Sequence, residues 1–224
     1  HGAVVEMNGR RHRLELLADD LPARHASHVD AAGGVGVVIR DVDEVQRPAV
    51  VHDAPTGDVL QLINVHRSTF EDIEIPGWGN YAIYSKGSLA NIFKGVRPSD
   101  NLPDLFAGSG AAGVAAFYHE KYIVGCNGIV YLGCVAEGGT YGWYIASQAV
   151  GEGDLTLIGC ISEGQTSYPF YAVGAFNIQL VNLYTEGAAG AYLDGCHGAI
   201  IQGGRTELLT LKGGTGALID GGVH

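Results

Sequence analysis

Long apolar runs are missing from this chain of 224 residues: no stretch is long enough to cross a bilayer as a helix, and no basic, apolar and small-residue signal opens it. Cations are scarce as well. Thirteen Lys and Arg against 24 Asp and Glu leave a net charge of −11, which argues against nucleic acid, whose recognition needs clustered cations on a surface, and disfavours acidic membranes. One methionine, and few Lys or Glu at helical spacing, give no sign of amphipathic helices. The four cysteines form no CxxC pair and have no histidine at ligand spacing, so neither a metal nor another cofactor is expected.

Glycine is what the chain has in plenty, 35 residues, and that suits a backbone that turns every few positions. An all-β fold follows.

From Asn127 to Asp220 one short pattern recurs: Gly128–Glu137, Asp154–Glu163, Asn177–Glu186 and Gly198–Glu207. The glutamates that end the copies are 26, 23 and 21 residues apart, a period that marks a solenoid. A second pattern lies between the copies, at Gly142–Ile145, Pro169–Ala172, Gly190–Leu193 and Gly216–Ile219. A repeating coil buries its core between neighbours, so residues 1–224 read as one domain, irregular over 1–34 and coiled over 35–224. Val4–Met7 reads as a strand, Asn8 and Gly9 as a tight turn and Arg13–Leu17 as another strand or a short helix, with Arg10–Arg13 at a solvated hairpin tip. Phe70–Ile75 reads as one alternating strand with a local irregularity, its Phe70, Ile73 and Ile75 inward. Residues 97–113, rich in Pro and Gly, are expected to project as a loop, functional or packed on a neighbour. The first residue is His1, and the last repeat stops at Gly221–His224 without a cap, so the chain is expected to be a processed piece of a longer protein.

At Gly142–Ile145, Leu157–Glu163 and Ser68–Ile75 the sequence resembles right-handed parallel β-helices of the pectate-lyase-like superfamily, above all the β-helical part of bacteriophage tailspike proteins. The likeness runs over most of residues 35–224. It implies an elongated coil, a homotrimer, a virion or extracellular location, and a bacterial surface polysaccharide that is bound or cleaved. No polygalacturonase or pectate-lyase signature is present, so no active site carries over by position.

Side chains alternate in and out along a strand, and equivalent residues of adjacent coils lie about 4.8 Å apart. Cys134 and Cys160 then share one inward column as free thiols, with Cys126 and Cys196 following the same pattern. In the second pattern Trp143, Ile145, Phe170, Ala172, Ala191, Leu193, Ala217 and Ile219 point inward. Tyr144, Tyr171 and Tyr192 point outward as a column suited either to stacking on sugars or to a subunit interface.

The same parity sends Glu137, Glu163, Glu186 and Glu207 outward, beside Val135, Ile161, Tyr184 and Arg205. Glycoside hydrolysis needs two carboxyl groups, about 5 Å apart for retention and about 6.5–9.5 Å for inversion, and adjacent coils supply the shorter distance. Glu163 and Glu186 are the catalytic candidates, with close stacking expected to raise at least one pKa. Tyr144, Tyr171, Tyr192, Tyr184 and Asp194 are the substrate-binding candidates, and Asp194 and Asp220 are reserve acids. The competing account is that Glu followed by Gly138, Gly164 or Gly187 is corner chemistry. Three functions stay open: a tailspike-type hydrolase, a polysaccharide lyase or epimerase using Arg205, His197 or Lys212, and a non-catalytic structural or receptor-binding coil. His119 reads as a strand-edge residue.

Overall fold

The computed structural model describes residues 60–221 with interruptions at 64, 76, 100–113, 121–125, 147–152 and 188, together with the backbone of short strands before residue 51. Among the described residues there is no helix. The chain winds as a parallel β-solenoid, visiting three sheets in turn.

The first sheet stacks Leu60–Ile63, Tyr81–Lys86, Ala115–Glu120, Tyr141–Ala146, Tyr168–Val173, Ala191–Asp194 and Leu209–Lys212. The second stacks Val38–Ile39, Thr69–Glu71, Ile92–Lys94, Asn127–Leu132, Gly153–Ile158, Gln179–Val181, Ile200–Gln202 and Leu218–Asp220. The third runs through Ala49–Val50, Ile73–Ile75 and Arg97–Pro98, then Val135–Glu137, Ile161–Gln165 and Tyr184–Gly187, with bridges at Ser99 to Glu137 and Tyr184 to Arg205. Every pairing within these three sheets is parallel.

Left-handed backbone makes the corners. Between the second and third sheets Asp72, Gly95, Gly133, Gly159, Asn182 and Gly203 take φ of 53, 61, 57, 60, 51 and 62°. Only Gly adopts this region freely, with Asn and Asp next, and these are the residues found. Each donates its N–H to a carbonyl of the following coil, at Lys94, Leu132, Ile158, Val181, Gln202 and Asp220 respectively, so the corners are hydrogen-bonded columns in their own right.

The core is built from inward columns. In the second sheet Phe70, Phe93, Tyr131, Leu157, Leu180 and Ile201 follow one another in register, with ring centroids 4.9 Å apart from Phe70 to Phe93 and 4.7 Å from Phe93 to Tyr131. In the first sheet Phe117 stacks on Trp143 at 4.8 Å. Each fully buried side chain of this size contributes about 1.5–3 kcal/mol through water removal. Cys126, Cys134, Cys160 and Cys196 are buried free thiols, as the repeat predicts, and burial pushes the Cys134 thiol up.

Coil length changes along the axis. From Tyr131 to Leu157, Leu180, Ile201 and Ile219, all in one column, successive coils take 26, 23, 21 and 18 residues.

Some expectations are corrected. Phe70, Ile73 and Ile75 are indeed buried, but Asp72 is a corner, so Thr69–Glu71 and Ile73–Ile75 are strands of different sheets. Gly216–Ile219 leads into the second sheet, where Ile219 pairs with Ile201; it continues the first pattern and not the second. Leu209–Lys212 is the true successor of Ala191–Asp194; Ile219 keeps the inward register of Ile201, although it and Ala217 are exposed in this last described coil. Ala3–Met7 pairs antiparallel with Arg10–Leu14, so Arg10–Arg13 forms a strand and not a tip. Residues 100–113 of the expected loop lie outside the described residues.

Candidate functional site

The outward side of the first sheet carries far more tyrosine than one column. Tyr84, Tyr118, Tyr144, Tyr171 and Tyr192 occupy successive strands in register, and Tyr81, Tyr141 and Tyr168 lie beside them. Neighbouring rings are joined through centroid distances from 4.1 Å for Tyr81 and Tyr118 to 6.3 Å for Tyr141 and Tyr168. Eight half-exposed rings thus form one continuous mosaic. Sequence parity found Tyr144, Tyr171 and Tyr192. It missed Tyr81, Tyr141 and Tyr168 because Ala82 with Ile83, Gly142 with Trp143, and Pro169 with Phe170 are consecutive buried residues, a break in alternation that puts a second tyrosine position outward, and it missed Tyr84 and Tyr118 because their coils precede the four clear repeats.

Ring orientation divides the mosaic. Tyr84 and Tyr118 are 9° from parallel, as are Tyr171 and Tyr192 at 6°. Tyr144 stands at 80° to both Tyr118 and Tyr171, each 5.2 Å away. Burial raises the pKa of Tyr118, Tyr144 and Tyr171, with neighbouring tyrosines adding to it, so the hydroxyls stay protonated as donors.

A second outward column of the same sheet reads Lys86, Glu120, Val173, Asp194 and Lys212, with Ala146 in register between Glu120 and Val173. Glu120 accepts a hydrogen bond from Tyr84 at 2.6 Å and pairs with Lys86 at 3.0 Å. Burial pushes its carboxyl up, but those hydrogen bonds and the Lys86 charge outweigh it and hold it below the usual carboxylate range. Tyr84, half-buried against that carboxylate, is pushed up to about 12. At the other end Asp194 accepts from Tyr192 at 3.3 Å and pairs with Lys212 at 3.0 Å.

The glutamates occupy another face. Glu137, Glu163 and Glu186 are in direct register on adjacent strands of the third sheet, and the bridge from Tyr184 to Arg205 brings Glu207 into the same line. Glu163 and Glu186 are therefore neighbours, as the repeat predicts. Glu137 accepts from Ser99 Oγ at 2.9 Å, and Glu186 from Tyr184 at 2.8 Å, while Arg205 lies 5.7 Å from the Tyr184 ring. Tyr184 thus joins the glutamates, whereas Tyr144, Tyr171, Tyr192 and Asp194 look out from the first sheet. Gly138 and Gly164 have φ of 82 and 74°, and Gly138 donates to the Glu163 carbonyl, so Glu-Gly also serves the corner. Below that corner Gln165 is buried; its Nε2 donates to the carbonyls of Ala136 and Gly138, at 3.0 and 3.1 Å, and its Oε1 accepts from Ser162.

The three bases considered for a lyase or epimerase do not converge. Arg205 belongs to the third sheet and Lys212 to the first. His197 sits at the corner between first and second, hydrogen-bonded to Thr215 at 2.7 Å and stacked on Phe176. Asp220 ends a strand of the second sheet, away from Asp194. His119 is not a strand-edge residue: it points into the core at 1% exposure, its Nε2 is 2.6 Å from the Tyr131 hydroxyl, and burial lowers its pKa to about 3. No group of residues among those described is arranged to hold a metal.

The outward side of the second sheet is aliphatic at its middle levels, between the Glu71–Lys94 pair at one end and Gln202 and Asp220 at the other. Ile92 and Val130 share one column and Leu132, Ile158 and Val181 the next, with Ile92 38% and Ile158 41% exposed. Ile161, 36% exposed, extends this surface around the corner.

No protein-family model matches the chain, and no curated protein does. Among solved structures, Geobacillus virus E2 ORF18 is similar at 12% identity over 85% of this chain and 42% of that one, with a TM-score of 0.46. The chain spans less than half the length of that protein.

Proposed function

We propose that this solenoid is a polysaccharide-binding module of the tailspike type, which engages a bacterial surface glycan on the outward face of its first sheet. The mosaic of eight tyrosines carries this conclusion. Tyrosine is a rigid amphipathic side chain that packs its ring on the apolar side of a pyranose and hydrogen-bonds at the rim, at low entropic cost. Contiguous aromatic surface of this extent left in water marks an interaction site. Subunit contact is better served by the second sheet, which is aliphatic and uncharged at its middle levels, over Leu132, Ile158 and Val181; we assign that face to neighbouring copies in a homotrimer and leave the tyrosines to the ligand. A virion or extracellular location fits such a ligand.

Hydrolysis is a second proposal, favoured by one observation. Glu163 and Glu186 stand in register on adjacent strands, at the spacing of about 5 Å that a retaining glycosidase uses. Because the tyrosines occupy a different sheet, cleavage at these glutamates and binding at the mosaic are separable activities.

The test is a panel of bacterial capsular and lipopolysaccharide glycans, scored for retention of the protein and for new reducing ends. Wild-type retention that a folded Tyr118→Ser/Tyr171→Ser variant loses supports binding. No retention across the panel overturns it. Reducing ends that disappear in Glu163→Gln/Glu186→Gln, with retention intact, support hydrolysis; retention without reducing ends leaves a binding module. A monomeric mass by light scattering rejects the trimer.

A further inference from the structure

We propose, resting on glycan recognition by this face, that Tyr144 is the stacking platform for one uncharged sugar residue, seated beside the column Glu120–Ala146–Val173–Asp194.

Ring geometry singles out Tyr144. Tyr81, Tyr84 and Tyr118 lie within 20° of parallel, and Tyr118 covers Tyr81 at 4.1 Å, so these rings spend their faces on one another. Tyr171 and Tyr192 do the same at 5.1 Å. Tyr144 meets both of its axial neighbours edge to face. Its ring is tilted only 33° from Tyr141, with centroids 4.8 Å apart. Rings that close and that near parallel overlap face to face, so Tyr141 covers one side. Tyr141 precedes Tyr144 on the same strand, so the opposite side of the Tyr144 ring is turned along the strand toward position 146. Among the described residues no ring stacks on that side, and a pyranose needs such an aromatic face.

The charges beside that ring define the ligand. Lys86 and Glu120 are adjacent in register, then come Ala146 and Val173, then Asp194 and Lys212. Each cation sits outside its carboxylate and is bonded to it at 3.0 Å. The stretch between the two carboxylates is three strand steps, about 14 Å. Among the described residues it has no charged side chain, and it is bounded by acceptors at both ends. A sugar hydroxyl can donate to Glu120 or Asp194 there. A uronate carboxylate would instead face a like charge at either end, which excludes it. The ligand class is therefore a neutral hexose-containing glycan, oriented along the solenoid axis.

The experiment uses the whole chain on an array of neutral hexasaccharides (gluco-, manno- and galacto-configured) and of oligogalacturonate and oligomannuronate of equal length. Expected are binding to at least one neutral probe, no binding to the uronates, a loss of tenfold or more in Tyr144→Leu, and near-wild-type affinity in Tyr144→Phe. Glu74→Gln, on the third sheet and outside the tyrosine face, should change affinity by less than threefold. Uronate binding stronger than neutral binding, or unchanged affinity in folded Tyr144→Leu, overturns this placement while glycan recognition stands. Failure of wild type to bind any probe on this array and on the bacterial glycan panel removes both.

Discussion

Acidification below pH 6.5 should destabilise the solenoid through His119. This imidazole is in the core beneath the first sheet, between Ser85 and Ile145 in register, with Nε2 on the Tyr131 hydroxyl and Nδ1 without a protein partner. Charging it would place a cation among Tyr131, Ile145 and Trp143 with no carboxylate at hand, and burial accordingly lowers its pKa from 6.5 to about 3. In the unfolded chain it protonates near 6.5. Between those values the unfolded state binds the extra proton, so stability is fully present above pH 6.5 and falls as the pH drops toward 3. One pKa unit is worth about 1.4 kcal/mol, which makes the whole effect about 5 kcal/mol and the part lost between pH 6.5 and 4.5 about 2 kcal/mol. The narrower window stays above the range where most carboxylates titrate. Urea unfolding of wild type and His119→Gln, followed by far-ultraviolet circular dichroism across this window, isolates the residue, because groups common to both cancel in the difference. Glutamine can still bond Tyr131 and cannot take up a proton. The difference in stability should change by about 2 kcal/mol over the window, with wild type the steeper. Parallel pH dependences would refute the assignment, as would a His119 ring titration near 6.5 by NMR.

Gly159→Ala tests the corner columns: an added Cβ meets nothing within 4 Å, so the cost is that of left-handed backbone alone, about 1–2 kcal/mol in urea unfolding. Asn182→Gly, at the next coil's equivalent position, should be neutral to stabilising in the same assay. Gln165→Ala strands the carbonyls of Ala136 and Gly138 and should cost about 1–3 kcal/mol, which an isosteric Gln165→Glu will not restore at neutral pH because a carboxylate cannot donate to them.

Most of the architecture was legible in the repeats because a solenoid writes each coil's inward and outward positions at nearly constant spacing. Trp143, Phe170 and Leu193 were placed inward, and Tyr144, Tyr171 and Tyr192 outward, from alternation alone. Alternation failed where the backbone left the strand or doubled a buried position. Asp72 is a polar residue with positive φ, so a corner passed for an irregularity inside one strand. The paired buried residues Ala82 with Ile83 hid Tyr81 from the outward set. Gly216–Ile219 shares its composition with both patterns, and only pairing to Ile200–Gln202 fixes its sheet. His119 looked peripheral because the charged Glu120 and Lys121 follow it in sequence, whereas parity with Phe117 sends it inward. The glutamate register was readable, yet its separation from the tyrosines was not, since a repeat gives position along the chain and not which side of the prism it faces.

The shortening of successive coils from Tyr131 to Ile219, from 26 residues to 18, gives each of these four levels its own circumference. Uniform repeats can pair one level out of step and still satisfy most of their hydrogen bonds. Here a coil displaced by one level would have to stretch or bulge by two or three residues to reach the same three sheets, so each of these rungs fits only its own neighbours. The gradient acts as an index that numbers the levels during folding, and it predicts that duplicating or deleting a coil will disrupt the ladder on both sides of the change.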